Sequence, residues 1–139
     1  MKKLFPLTVS IILFAACNSS TAVKTTDADD NKVTLHSDTM NVVKITDTLV
    51  IYESTCRGCK YEGSTEFEVR DSLEIIKLLN VRTIDNNSPD MAGGSVSKHV
   101  ILVPQKSGTT TIKLFKFYGE DTRAKDSLHF TPYTIQVQN

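Results

Sequence analysis

The chain has 139 residues, 40% of them hydrophobic and 23% charged, the size of one compact domain of about 100 to 150 residues. Its 16 Lys and Arg are balanced by 16 Asp and Glu, so no excess positive field is available to hold a phosphate backbone, and nucleic acid is not an expected partner. With 6 Gly, 4 Pro and 3 Cys, it is not collagen-like, wholly disordered or a disulfide-dense miniprotein.

Met1, Lys2 and Lys3 form a positive start to the apolar stretch 4–16. That stretch is too short to cross a bilayer, which needs about 20 apolar residues, and reads as a secretion signal. Its end, Leu13-Phe14-Ala15-Ala16-Cys17, resembles the bacterial lipobox, with Phe14 where Leu is usual. The resemblance implies cleavage after residue 16, acylation of Cys17 and a lipid bilayer as partner. Acyl chains hold a protein at about 0.8 kcal/mol per buried methylene, so no spanning helix is required. The expected location is the cell envelope. Asn18 lacks the Asp that accompanies inner-membrane retention in some bacteria, which favours the outer membrane.

Removing the two lysines of residues 1–16 leaves 14 basic against 16 acidic residues, a formal charge of −2. Residues 17–32 are rich in Ser, Thr, Asp and Asn, so ordering them would cost entropy with little burial in return, and they read as a lipidated flexible tether. Asp27, Asp29 and Asn31 have the spacing that opens a calcium loop, but Lys32 stands where the turn needs Gly.

Residues 33–139 read as the folded domain. Val43-Lys44-Ile45 and the run 48–53 are β-branched and aromatic, and residues 65–70 alternate apolar with charged side chains, the period of a half-buried strand. The run 72–79 fits a helical face as well as a strand; strand is favoured, with a short helical turn as the alternative. Further strands are expected over 81–84, 99–103, 109–118 and 133–137, with a polar loop before the last. The glycines fall in the connections. This pattern predicts an all-β, immunoglobulin-like antiparallel sandwich with Leu49, Ile51, Phe67, Val69, Val100, Leu102, Ile112, Leu114, Ile135 and Val137 in its core.

Leu49-Val50-Ile51 leading into Ser54-Thr55-Cys56-Arg57-Gly58-Cys59-Lys60-Tyr61, then Gly93-Gly94 before the His99 strand, then residues 106–114, resemble the chagasin-type cysteine-protease inhibitors over most of residues 43–137. In that family three loops at one end of the sandwich wedge noncovalently into a papain-like cleft. The resemblance implies a binding edge from 56–61, 91–95 and 117–122, with Thr55, Arg57, Gly58, Tyr61, Gly93, Gly94, Tyr118, Gly119 and Glu120 as contact residues. Gly58 matches the family glycine, Cys59 stands where Tyr is expected and Tyr61 where Trp is expected. Phe117-Tyr118-Gly119-Glu120 replaces Arg-Pro-Trp, and the chain has no Trp at all. A protein-binding or adhesion and assembly module on the same fold is therefore the alternative to inhibition.

Cys56 and Cys59 form a CxxC, most simply a disulfide outside the cytoplasm. A thiol-disulfide redox role would want the motif opening a helix, whereas the following residues read as turn and strand. Lys60 stands where haem attachment needs His, and His36, His99 and His129 have no metal-ligand spacing, so no metal or cofactor is expected. Phe115 is expected to pack and Tyr118 to be exposed. No G-x-S-x-G, H-E-x-x-H or P-loop is present, and the chain is not expected to be an enzyme.

Overall fold

Along β7 (Gly108–Phe117) Thr110, Ile112 and Leu114 are buried while Thr109, Thr111 and Lys113 are exposed, the period-two pattern of a strand with one face in a core. β8 (Thr131–Gln138) repeats it with Tyr133, Ile135 and Val137, and β2 (Met40–Lys44) with Asn41 and Val43. With β4 (Glu66–Arg70) these strands form one sheet in the order β2-β8-β7-β4. The second sheet runs β1-β3-β6-β5, from β1 (Lys32–Thr34), β3 (Thr48–Cys56), β6 (Ser95–Pro104) and β5 (Ile76–Ile84). The computed structural model describes residues 31–88, 90 and 93–139. The leader, Cys17, most of the expected tether, Met91 and Ala92 lie outside the described residues. β1 opens at Lys32, the last residue of that tether.

Leu49, Ile51, Val100 and Leu102 from one sheet meet Ile112, Leu114, Ile135 and Val137 from the other, each at most 3% exposed. Burying one such side chain contributes about 1.5 to 3 kcal/mol before entropy is subtracted. The layers make the expected immunoglobulin-like sandwich. Nine of the ten expected core residues are buried, and Val69 packs against the cluster part-exposed. Four pairings are antiparallel, whereas β1 runs parallel to β3 and β2 parallel to β8. The chain therefore changes sheets between β1 and β2. At that crossing the buried Asn41 amide accepts from His36 N–H and donates to the carbonyls of His36, Thr39 and Thr134.

The expected strand over 72–79 begins only at Ile76. Asp71 holds the preceding turn by accepting the N–H groups of Leu73, Ile75 and Ile76 and the Thr110 hydroxyl, at 2.6 to 3.0 Å. Burial alone would raise its pKa, but these four donors favour the carboxylate and bring it below the ordinary Asp range. A bulge between Leu78 and Asn80 leaves Leu79 63% exposed.

The expected polar loop contains one helical turn, α1 (Arg123–Asp126). As expected, Phe115 is buried and Tyr118 exposed; Phe117 is buried as well. The two phenyl rings lie stacked 6.1 Å apart. Arg70 and Arg123 sit 4.3 Å over the respective rings, and Phe130 packs 5.6 Å from Phe115. Residues 118–130 thus fold back beside their own sheet, which no alternation in β7 signals.

Candidate partner-binding edge

β3 delivers its last residues to one pole of the sandwich, where Cys56 pairs with Ser95 at the start of β6, and β7 ends at the same pole with Phe117 opposite Glu66. Three connections therefore emerge side by side. The middle one is closed by a Cys56–Cys59 disulfide with Cα atoms 5.6 Å apart. Gly58 takes φ +75° between the two cysteines, a conformation that favours glycine. Its N–H donates to the Glu62 carboxylate at 2.5 Å, and Thr65 returns both its N–H and its hydroxyl to the Tyr61 carbonyl.

On one flank Arg57 N–H donates to the Gly94 carbonyl at 3.0 Å, joining the middle connection to the glycine pair. Gly93 and Gly94 have φ of +80° and +93°, so both need glycine for their backbone rather than for flexibility. The Arg57 guanidinium meets Asp85 at 2.9 Å and donates to the Ser88 carbonyl. Asp85 also accepts the backbone and side-chain N–H groups of Asn87, the largest causes of its lowered pKa, ahead of the Arg57 charge. Asn87 in turn donates to the Ser95 carbonyl.

On the other flank the rings of Tyr61 and Tyr118 lie 6.3 Å apart, and the Ser64 hydroxyl donates to the Tyr118 carbonyl at 2.6 Å. The Lys60 ammonium and the Tyr61 hydroxyl both donate to Asp121, at 2.7 and 3.1 Å. The lysine's hydrogen bond, followed by that of the tyrosine, lowers the Asp121 pKa; the Lys60 pKa is raised by its bond to Asp121 and then by its bond to the Tyr61 hydroxyl. This clasp is exposed, so it orients the loops more than it stabilises the fold. Asp126 accepts Tyr118 N–H and the Thr122 hydroxyl, fixing the third connection from behind. A groove of about 500 Å³ beside Tyr61 and Tyr118 is walled by Lys116, Lys125, His129 and Phe130.

Below the edge the inward positions turn polar. Lys116 points between the sheets, donating to the Ser54 carbonyl at 2.6 Å and to Glu53 at 3.3 Å. Lys98, 8% exposed, donates to the Thr83 hydroxyl. Burial, with the Glu53 charge second, pushes the nearby Tyr133 phenol up to about 12.

The expected contact residues thus divide. Gly58, Tyr61, Gly93, Gly94, Tyr118, Gly119 and the exposed Glu120 assemble on one edge. Thr55 does not: it is an inward residue of β3, 6% exposed, with a buried hydroxyl that has no hydrogen-bond partner among the described residues. Alternation along β3 puts it in the interior one position before the strand ends. Arg57 is largely consumed in bracing the glycine pair, its side chain 20% exposed. Lys60 and Asp121 lie within the expected edge ranges without having been named as contacts, and Asp85 lies outside them; the Lys60–Asp121 and Arg57–Asp85 pairs join residues far apart in the chain, so no local spacing announces them. Among the described residues no cluster of three or more His, Cys, Asp or Glu is placed to hold a metal ion.

No family model matches the sequence, and no curated protein does. Solved structures do match the fold. The cysteine protease inhibitor EhICP2 from Entamoeba histolytica is 20% identical, with 78% of this chain and 95% of that one aligned at a TM-score of 0.56. The chain shares its fold. Amebosin, 15% identical, aligns over 77% of this chain and 96% of its own at a TM-score of 0.51.

Proposed function

We propose that this protein is a lipid-anchored, non-catalytic inhibitor of papain-like cysteine proteases that inserts the edge formed by residues 56–61, 93–95 and 117–122 into the protease cleft. The observation that carries the reading is the convergence of the three connections at one pole, cross-braced through Arg57–Gly94 and Lys60–Asp121, on a fold shared with a solved cysteine protease inhibitor. Bracing in the free protein lowers the ordering cost of binding, which is how a small edge reaches high affinity. Tyr61 and Tyr118 take the place of tryptophan as aromatic anchors. Anchoring is read from the lipobox at Cys17. The strand that follows the tether starts opposite Thr48, the other end of β3 from the edge, so a bilayer attached there leaves the edge accessible.

Steady-state inhibition of a panel of papain-like proteases by the mature chain with its cysteines oxidised tests the reading. Nanomolar inhibition, about −12 kcal/mol, supports it; none up to about 100 μM rejects it. The loss of the Arg-Pro-Trp segment favours a second reading, a binding or assembly module that keeps the braced edge and changes its partner. Redox duty for Cys56 and Cys59 is disfavoured because turns, not a helix, follow the motif.

A further inference from the structure

The two sheets present unlike outer faces. On the β2-β8-β7-β4 sheet, Glu66 and Glu68 are paired with Arg70 and Arg123, and Lys113 lies over the Phe130 ring. On the other sheet Tyr52, His99 and Arg82 stand in register across β3, β6 and β5. Tyr52 meets His99 edge-on at 4.6 Å, and the Lys32 ammonium lies 5.6 Å over the Tyr52 ring. The positive charges of Lys32 and Arg82 both act on His99. Alternation on β1, β3, β6 and β5 directs Lys32, Tyr52, His99, Ile101 and Arg82 outward, while Glu53, the one carboxylate in these four strands, points inward to Lys116. Arg82 makes no ion pair among the described residues. Asp85, the nearest acid along β5, lies toward the loop pole and is held by Arg57.

We propose that this face is a docking surface for an anionic lipid bilayer. Charge complementarity supports that occupant, as do the aromatic and aliphatic side chains among the cations, which suit the headgroup boundary. The position of the tether supports it as well. Only 13 residues separate Cys17 from Asn31, a reach of at most about 45 Å, and the chain enters the domain on β1, the edge strand of this sheet, at Lys32 itself. Each Lys or Arg near an anionic surface strengthens binding about five-fold, weak for a free protein and sufficient for one already held at the surface. Docked this way, the domain lies on its side with the loop edge projecting along the membrane. The biological meaning rests on the proposed anchoring at Cys17, which mass spectrometry of the membrane-extracted protein tests separately.

The docking experiment is co-sedimentation of the unlipidated mature chain, carrying Cys17→Ser, with vesicles of phosphatidylcholine alone or with about 30% phosphatidylglycerol. The expected result is at least about ten-fold greater partitioning onto the anionic vesicles, lost in the Lys32→Glu/Arg82→Glu variant and near 0.5 M salt. The Lys113→Glu variant, on the opposite outer face, should retain it. Equal partitioning onto both vesicles overturns the proposal. An unchanged Lys32→Glu/Arg82→Glu variant, an equal loss in Lys113→Glu, or binding to single-stranded DNA in preference to the vesicles does so too. Circular dichroism of each variant separates lost docking from lost folding.

Discussion

The tether pole and the loop pole of the sandwich are built from the same strands and differ in what fills the space between the sheets. At the tether pole and midway, β3 and β6 contribute Leu49, Ile51, Val100 and Leu102 to an interior closed by Ile112, Ile135 and Val137. Toward the loops the inward positions of the same two strands and β7 become mostly polar, Glu53, Thr55, Lys98 and Lys116, with Val96 as the apolar exception. Apolar packing supplies stability in proportion to area and is indifferent to direction, whereas a buried lysine is tolerated only where named acceptors meet it. The difference teaches that the fold is secured away from the edge, leaving the edge's backbone to be set by hydrogen bonds.

The comparison breaks first at the dry pole. Leu102→Ala should cost about 2 to 5 kcal/mol in denaturant unfolding, while the fraction that remains folded inhibits as before. A loss of inhibition out of proportion to the folded fraction would show the poles to be coupled. At the wet pole the expected signs reverse: Tyr61→Ala and Tyr118→Ala should weaken protease inhibition by about 2 kcal/mol or more each while unfolding changes little. Full inhibition by both variants removes the proposed anchors. Asp71 lies near the dry pole, and Asp71→Ala should cost about 1 to 3 kcal/mol by stranding the donors of Leu73, Ile75 and Ile76. Because its carboxyl is depressed in the folded state, its contribution is complete above the unfolded value near 3.8 and disappears as pH falls through the lower native one. Acid unfolding should therefore be less steep in the alanine variant between about pH 4 and pH 2.

Replacing Cys56 and Cys59 by serine should lower stability by no more than about 2 kcal/mol, the entropy of a small ring, yet weaken inhibition by a larger factor because the middle connection loses its closure. Equal effects on both would make the bridge merely structural. The smallest change is expected for Asp121→Asn, which releases the exposed clasp: no measurable change in melting, and a few-fold faster dissociation from the protease.

The sandwich was legible in the sequence because its signal is periodic: nine of ten core positions follow from alternation, and hydrophobic period two has one physical meaning in strands of this length. Misreadings occurred where a side chain overrides the pattern. Asp71 captures three N–H groups and delays β5 to Ile76, and Phe117 is buried on the side alternation assigns to solvent because residues 118–130 fold beside it, whereas Phe115 packs as expected. The edge was legible only as a set of loops. Gly58, Gly93 and Gly94 announce their positive φ, but Thr55 belongs to the interior, and the bracing pairs Arg57–Asp85 and Lys60–Asp121 join residues whose proximity exists only once the sheets have formed.

The parallel pairing of β1 with β3 at the start of the domain carries a mechanical consequence. β1 runs from the tether pole toward the loops along β3, and β2 returns toward the tether pole along β8. With the proposed anchor at Cys17, tension between it and a partner gripping the loop edge acts along β1. The β1–β3 ladder is then loaded in shear, its bonds together, instead of being peeled one by one. The Asn41 amide, tying the crossing to His36, Thr39 and Thr134, shares that load at the point where the chain passes between the sheets. A domain wired in this way would hold a proposed anchor through the edge strand that would otherwise be the first to detach.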